Sequence, residues 1–383
     1  MIQFTPGSFS STKLAWEHGT GLIALLRETK LIRTHRALGA SLAPFGGWLM
    51  PIQYGGIISE HTWTRQSASI FDISHMGEFL LRCDASSLGR VVTVNTDPMS
   101  IGTCRYGFML NGDGGIIDDL VVYRIKKDHW MLVVNAATTA KDELHLSAHL
   151  SGKAELENIS EETGKLDLQG PLARDVMRDL IDPRVGNLGY YEFGHFPVLG
   201  EERIISRTGY TGELGYEIYV SGDAVIDLWD LLIQDERVMP GGLGARDTLR
   251  LEMSYPLYGQ DIDEKTNPIQ ADLSGFLDMD KDFLGRKALS GGKDRVHDKL
   301  RVYFMADTRR APRHGHKICS KGQEMGSVTS GSFSPSLSCG IGMGYLEKSR
   351  AIVGTEIAVR GDRGDLKATL VQKPFYKKGT ARQ

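Results

Sequence analysis

The chain has 383 residues, 41% of them hydrophobic and 24% charged, enough for two or three folding units with real cores. Its net charge of -3 lacks the basic excess of a protein that grips a nucleic-acid backbone, and no stretch approaches the ~20 apolar residues that span a bilayer. The four cysteines, Cys83, Cys104, Cys319 and Cys339, form no C-x-x-C pair, which disfavours a zinc ribbon or a redox dithiol and fits buried thiols in a reducing compartment.

The first segment, Met1 to Thr20, is rich in Ser, Thr and Gly and nearly free of acid. It has too few arginines for a transit peptide and too little apolar character for a secretory signal. Residues 1–29 are therefore read as a loosely ordered extension. The default location is the cytoplasm, or the mitochondrial matrix for a eukaryotic source.

Further along, Ile116–Tyr123 and Trp130–Val134 read as strands around a turn at Lys126–His129, and Thr138–Leu150 has helical spacing with a Thr start. A strand at Lys165–Leu168 stops at Gly170-Pro171, and a helix follows over Ala173–Leu180. Arg203–Ser206 and Tyr216–Val220 are strands flanking a Gly-rich turn. Ala224–Gln234 and Ala245–Met253 are amphipathic helices. This alternation predicts an α+β body. Composition shifts near Gly291-Gly-Lys-Asp, and short strands follow at Lys299–Met305, Gly326–Thr329, Gly340–Leu346, Thr355–Val359 and Leu366–Val371. They predict a small C-terminal β-barrel or jelly roll. The expected division is an extension over 1–29, a body of two interleaved α+β domains over 30–290 and a barrel over 291–383.

Several residue types stand out chemically. Strand alternation puts Asp119 on one face with Val121 and Tyr123, and Asp118 on the other with Leu120 and Val122. A carboxylate among strand apolars needs donors, which come either from a ligand's N–H groups or from nearby backbone amides. Glu217 lies in the aromatic strand Gly215-Tyr-Glu-Ile-Tyr219, after Arg207-Thr-Gly-Tyr-Thr-Gly212. Its carboxylate can accept paired N–H bonds from a planar heterocycle, or it can form a salt bridge to an arginine. Pro240-Gly-Gly-Leu-Gly-Ala-Arg-Asp247 lacks both phosphate-loop patterns, while Arg246 at a helix start can hold a carboxylate. His75 is a candidate acid or base, with a structural role as the plainer reading. Ser332 and Ser334 lack a G-x-S-x-G context, so no hydrolase triad is supported.

Taken in order, a set of motifs resembles the aminomethyltransferases, the T-proteins of the glycine cleavage system. They are Thr34-His-Arg-Ala-Leu-Gly-Ala, Pro44-Phe-Gly-Gly-Trp-Leu-Met-Pro-Ile-Gln-Tyr54, Phe71-Asp-Ile-Ser-His-Met-Gly77 and Gly114-Gly-Ile-Ile-Asp-Asp-Leu-Val-Val-Tyr123. Asp167-Leu-Gln-Gly-Pro171, Gly209-Tyr-Thr-Gly-Glu-Leu-Gly-Tyr-Glu-Ile218, Gly244-Ala-Arg-Asp-Thr-Leu-Arg-Leu-Glu252 and Tyr258-Gly-Gln-Asp-Ile262 follow. Asp282-Phe-Leu-Gly285, Gly326-Ser-Val-Thr-Ser-Gly-Ser-Phe-Ser-Pro335 and Lys373-Pro-Phe375 complete the set.

The resemblance implies a three-domain cloverleaf with a C-terminal barrel and folate in a central channel. It implies transfer of the methylene carbon of an aminomethyl group, carried by the lipoyl arm of H-protein, to tetrahydrofolate. The products are 5,10-methylenetetrahydrofolate and ammonia. No metal, nucleic acid or membrane is implied, and a functional association with glycine dehydrogenase (the P-protein) and dihydrolipoyl dehydrogenase is. The implied catalytic residue is Asp119. The implied folate-binding residues are Glu217, Arg246, Tyr106, Tyr123 and Tyr210, with Arg382 near the folate tail. The sequence departs from the family at Asn267-Pro-Ile-Gln-Ala-Asp-Leu-Ser-Gly-Phe276, where Asp272 and Phe276 replace a usual Trp and bear on the donor.

Relatives of the same fold demethylate sulfonium compounds or aryl methyl ethers onto folate, and that is the enzymatic alternative. A folate-binding iron–sulfur or tRNA-modification accessory protein carries K-G-C-x-x-G-Q-E. The matching place here, Lys281-Asp-Phe-Leu-Gly-Arg-Lys287, lacks the Cys, and Cys319-Ser-Lys-Gly-Gln-Glu324 belongs to the C-terminal β unit.

Overall fold

The computed structural model describes residues 26–150, 152–290, 298–361 and 364–383. Most of the N-terminal extension and the composition shift at 291–294 lie outside the described residues. Among the described residues, no helix is long and apolar enough to cross a membrane.

Three sheets and one closed barrel organise the described residues. A small sheet pairs Arg27–Glu28, Trp48–Gln53 and Ser41–Phe45. A six-stranded sheet runs Phe193–Val198, Glu201–Ser206, Gly215–Ser221, Thr163–Gln169, Ala68–Asp72 and Val238–Pro240. A five-stranded sheet runs Cys104–Leu110, Ile116–Lys126, His129–Val134, Gly77–Arg82 and Glu155–Asn158. The strand Ala68–Asp72 thus joins the six-stranded sheet before the chain builds the other one, so the two α+β layers are threaded through each other. The barrel closes as Lys299–Ala306, Cys339–Glu347, Gln323–Ser334, Lys317–Ser320, Glu356–Gly361 and Gly364–Val371.

Burial follows the period-2 pattern. Leu166, Leu168, Ile218 and Val220 turn one face of the six-stranded sheet onto Val176, Met177, Leu228 and Trp229 of the helices Ala173–Leu180 and Ala224–Ile233. Leu120, Val122 and Leu132 turn one face of the five-stranded sheet onto Leu88 and Leu146 of the helices Ala85–Val91 and Thr139–His149. The opposite faces meet each other: Tyr123, Met131 and Val133 of one sheet pack with Phe193 and Tyr219 of the other. The candidate chemistry lies at this meeting.

The helix Leu243–Glu252 ties this junction to the barrel. Ala245 and Leu249 pack on Phe71 and Ile73, while Leu251 packs on Tyr303, Ile341 and Met343 of the barrel. Its buried charges are answered across the junction. Arg250 donates to Asp261 (2.8 Å) and to Ser330 of the barrel (2.9 Å), and Glu252 accepts from Arg65 (2.9 Å) and Ser336 (2.8 Å).

Two expectations need correction. Thr138 precedes the helix Thr139–His149, but its hydroxyl donates to the Asn135 carbonyl (2.9 Å) and does not cap the helix. The strand expected at Gly326–Thr329 extends over Gln323–Ser334, and a partner strand at Lys317–Ser320 completes the barrel. Four residues ending in a turn carry too little alternation to signal that partner strand.

One glycine fixes how the strand bearing Asp118 and Asp119 begins. Ile116 N–H reaches the carbonyls of Asp263 (3.1 Å) and Thr266 (3.0 Å), drawing the 263–266 loop against the strand start. A Cβ at Gly115 would lie 1.8 Å from the Glu264 carbonyl oxygen. Backbone cannot yield as a flexible side chain does, so Gly115→Ala is expected to cost at least about 2 kcal/mol, several degrees of melting temperature by calorimetry. An unchanged melting temperature would show that this contact is not fixed.

Candidate functional site between the two sheets

The pleat sorts the acidic pair as the alternation predicts. Asp118 is fully buried on the face of Leu120 and Val122. Asp119, only partly buried, faces the junction with Val121 and Tyr123. Asn135 follows the neighbouring strand His129–Val134 and serves both acids. Its Nδ2 donates to Asp118 Oδ1 (2.9 Å) and Asp119 Oδ1 (2.8 Å), and its backbone N–H to Asp118 Oδ2 (3.0 Å). Tyr106 OH, from the strand Cys104–Leu110, donates to the other oxygen of Asp119 (2.8 Å). Burial and the adjacent Asp118 push the Asp119 carboxyl up to about 7, against the pull of these two donors. A carboxyl so placed can hold or give up a proton near neutrality.

Four residues on, roughly 13 Å along the strand, Tyr123 reaches the opposite sheet. Its hydroxyl lies 2.9 Å from Tyr219 OH, 3.1 Å from Ser206 Oγ and 3.4 Å from Glu217 Oε2. Glu217 Oε2 also accepts from Thr208 (2.8 Å) and Tyr219 (3.3 Å). Among the described residues, no arginine pairs with it. Its nearest cation is the fully buried Lys165, whose Nζ lies 3.8 Å from Glu217 Oε2 and 3.8 Å from Glu78 Oε1, over the Tyr219 ring. Burial pushes Glu78 up to about 8 although Lys165 opposes the rise, which favours its neutral form and leaves the Lys165 charge to Glu217. Among the described residues, the donors to Glu217 all meet Oε2.

Arg246 stands in the first turn of the helix Leu243–Glu252. Its guanidinium holds the carboxylate of Asp167, the cross-strand neighbour of Glu217, and lies 5.2 Å from the Tyr210 ring. The carboxylate expected of Arg246 is thus one of the chain's own. Burial raises Asp167 to about 6, with Arg246 opposing and Glu217 adding to the rise. Tyr210 stacks on Tyr255 (5.7 Å, 25°) and donates to the Pro256 carbonyl. His75 meets Phe45 edge-on (5.5 Å), and burial with the charges of Arg246 and Lys165 lowers it to about 4. A ring that is neutral at pH 7 and has no partner for Nδ1 among the described residues is a poor acid.

The C-terminal segment is docked. Thr380 Oγ1 donates to Glu213 (2.5 Å) and accepts from Leu214 N–H (2.9 Å), and Ala381 N–H donates to the Gly212 carbonyl (3.1 Å). This tail supplies partners to the turn that leads into the Glu217 strand. Arg382 remains exposed, its guanidinium 5.8 Å from the Tyr190 ring. On the other side of Tyr106, Phe276 meets its edge at 4.9 Å with 47% of its surface exposed. Asp272 pairs with Lys373 (2.8 Å) and Tyr303 (3.0 Å). Ser332 and Ser334 lie on a barrel strand, with Ser334 bonded to Glu252, and Cys319 is buried in the barrel.

Lys165, Asp167 and Asn135 were not singled out in the sequence. Lys165 and Asp167 alternate with Leu166 and Leu168, a pattern that marks the polar face of a strand buried on both sides. Arg301 was also missed. It is 1% exposed, and none of its guanidinium nitrogens has an acceptor among the described residues. Its charge acts on Tyr106.

Comparison with known proteins agrees with this arrangement. Residues 31–281 match the family described as GCVT N-terminal domain, and residues 299–377 match the glycine cleavage T-protein C-terminal barrel domain. An aminomethyltransferase of Halothermothrix orenii is 41% identical over 356 residues, spanning 91% of this chain and 100% of that protein. One from Thermotoga sp. strain RQ2 is 40% identical over 365 residues, spanning 94% and 100%. The crystal structure of the glycine cleavage system aminomethyltransferase T from Bartonella henselae superposes with a TM-score of 0.88 at 32% identity, covering 93% of this chain and 99% of that one. With both domains matched and full-length relatives at this identity, the chain belongs to the glycine cleavage T-protein family, the aminomethyltransferases.

Proposed function

We propose that the space between the two sheets takes tetrahydrofolate, and that the chain moves onto it the methylene carbon of the aminomethyl group on lipoylated H-protein, releasing ammonia. The observation that carries the reading is the pairing of Glu217 and Asp119 at two ends of one tyrosine-lined path. Glu217 has one oxygen crowded by donors, leaving Oε1 for the paired N–H groups of a pterin. Asp119, some four strand residues away, is the carboxylate for N10, with Tyr106, Tyr123 and Tyr210 along the wall. Arg246 acts here through Asp167, holding the floor beside Glu217. The unpaired Arg301 and the exposed Arg382 are the cations for the carboxylates of the glutamate tail.

The chemistry asks little nucleophilicity of the protein. N5 attacks the methylene carbon, and the enzyme's task is to bring two bound groups together. Of the two protons that N5 and N10 lose, one ends on the lipoyl sulfur and one on ammonia. Asp119 receives the N10 proton and, as a carboxylate, steadies the cationic iminium species. Glycine dehydrogenase and dihydrolipoyl dehydrogenase then act on the same lipoyl arm before and after this step, and a cytoplasmic location suits that traffic. The threading of Ala68–Asp72 supports a body over 30–290 of two interleaved domains, followed by a barrel.

The direct test mixes the protein with tetrahydrofolate and aminomethylated H-protein, with a methylated sulfonium compound as the rival donor. Ammonia and 5,10-methylenetetrahydrofolate from H-protein support the reading. Methyl transfer from the sulfonium compound alone favours the demethylase, in keeping with Phe276 beside Tyr106. Asp119→Asn is expected to lower turnover at least about tenfold, ~1.4 kcal/mol of barrier, with an unchanged unfolding profile. Full turnover would remove Asp119 from the chemistry. Glu217→Ala is expected to weaken folate binding by about 1.5–3 kcal/mol in calorimetric titration, the worth of hydrogen bonds to a charged partner. An unchanged dissociation constant would leave Glu217 a purely structural partner of Lys165. Arg382→Ala, which removes no recorded hydrogen bond, is expected to raise the Michaelis constant for folate without lowering the melting temperature. No change in that constant would exclude it from the tail.

A further inference from the structure

Behind Asp119 lies a third carboxyl that neither the fold nor the proposed reaction accounts for. Asp142, in the first turn of the helix Thr139–His149, is 0% exposed, and among the described residues neither carboxyl oxygen has a well-formed hydrogen bond: the nearby Thr138 hydroxyl is directed to the Asn135 carbonyl (2.9 Å). A fully buried carboxylate without a donor is the costliest state a side chain of this kind can adopt. Burial and the charge of the neighbouring Asp118 favour the protonated form of Asp142, which can donate to Asp118, whose own oxygens already accept from Asn135 N–H (3.0 Å) and Nδ2 (2.9 Å). The same Asn135 Nδ2 reaches Asp119 Oδ1 at 2.8 Å. Two carboxyls of one strand therefore share one asparagine, and Asp142 lies behind the first of them.

We propose that Asp118 and Asp142 form a proton-sharing acid pair whose single negative charge, held against Asn135, sets how readily Asp119 takes a proton from folate N10 and passes it on. The inference rests on the catalytic reading of Asp119. Both residues are positioning residues, since neither reaches the substrate side of the strand. Burial and the Asp118 charge raise Asp142 to about 10, and the Asp118 charge adds to burial in raising Asp119. The other charged or titratable groups around the cluster are accounted for. Lys141 is turned to the Ile117 carbonyl (2.8 Å), Tyr258 OH (2.8 Å) and Glu264 (2.7 Å). Tyr106 donates to Asp119, Tyr210 lies within its field, and Arg301 acts on Tyr106 from the barrel.

The sign follows directly. A neighbouring negative charge disfavours ionisation of Asp119, so removing it must favour the carboxylate. If Asp119 works as a base, activity rises as pH passes through its titration, and Asp118→Asn should move this acid limb down by about one pH unit. Asp142→Asn should leave the limb in place, because its carboxamide N–H still donates to Asp118 and the single charge survives. A readout without turnover comes from carbon-13 NMR of carboxyl-labelled aspartate in the substrate-free protein. One aspartate carboxyl should remain protonated above pH 8 and be absent from the Asp142→Asn spectrum.

Three results overturn the pair: an equal loss of rate at every pH in Asp118→Asn, a limb displaced as far by Asp142→Asn, or no carboxyl protonated above pH 8. The failure of the parent reading looks different. Full activity in Asp119→Asn would remove the catalytic role itself, whereas loss of the limb in Asp119→Asn with no movement in Asp118→Asn removes the pair alone.

Discussion

The junction of the two sheets, and the strand face just behind it, are governed by the cost of burying charge. Lys165, Asp167, Glu217, Asp118 and Glu78 are each less than 10% exposed. An isolated charge in such a place would cost far more than any single packing contact returns, so each must be paired or neutralised. The chain uses both routes. Arg246 answers Asp167 and Lys165 answers Glu217, while Glu78 and Asp142 are pushed into their neutral forms. Asp119, at the margin of this cluster, is left poised between the two states. The arrangement that a substrate meets is therefore the residue of a charge balance struck behind it.

That balance depends on elements far apart in the chain arriving at one place. Lys165 and Glu217 come from adjacent strands of one sheet, Tyr123 from the other, Arg246 from the helix Leu243–Glu252. The helix is itself clamped by charge. Arg250 reaches Asp261 and Ser330, and Glu252 reaches Arg65 and the barrel serines, so the barrel fixes the helix that fixes Arg246. The docked tail closes the circuit, because Thr380 and Ala381 hold the 212–214 turn from which the Glu217 strand departs.

Much of this could be read in the sequence, and the residues themselves show where reading stopped. Alternation assigned Asp118 and Asp119 to opposite faces, and they lie there. It also placed the main strands and helices, because their apolar residues repeat at the periods burial requires. What alternation cannot give is a partner. Glu217 was weighed against an arginine, yet Arg246 is taken by Asp167 and a lysine on the neighbouring strand stands in. Lys165 and Asp167 were passed over as polar positions on a short strand, although two charges alternating with Leu166 and Leu168 mark a polar face enclosed between layers. Asn135 and Asp142 carry no motif, and only the return of the chain past Asp118 makes them relevant. The docking of the lysine-rich tail has no local signal, because its anchors, Thr380 and Ala381, bond to residues some 170 positions away.

The account's central claim is that Glu217 and Asp119 address two parts of one bound folate. A crystal structure of the protein with tetrahydrofolate tests it most directly. The account predicts the pterin donors at hydrogen-bonding distance from Glu217 Oε1, with N10 turned to Asp119 and the glutamate near Arg301 or Arg382. A folate bound with its ring away from Glu217, or with N10 remote from Asp119, would contradict it.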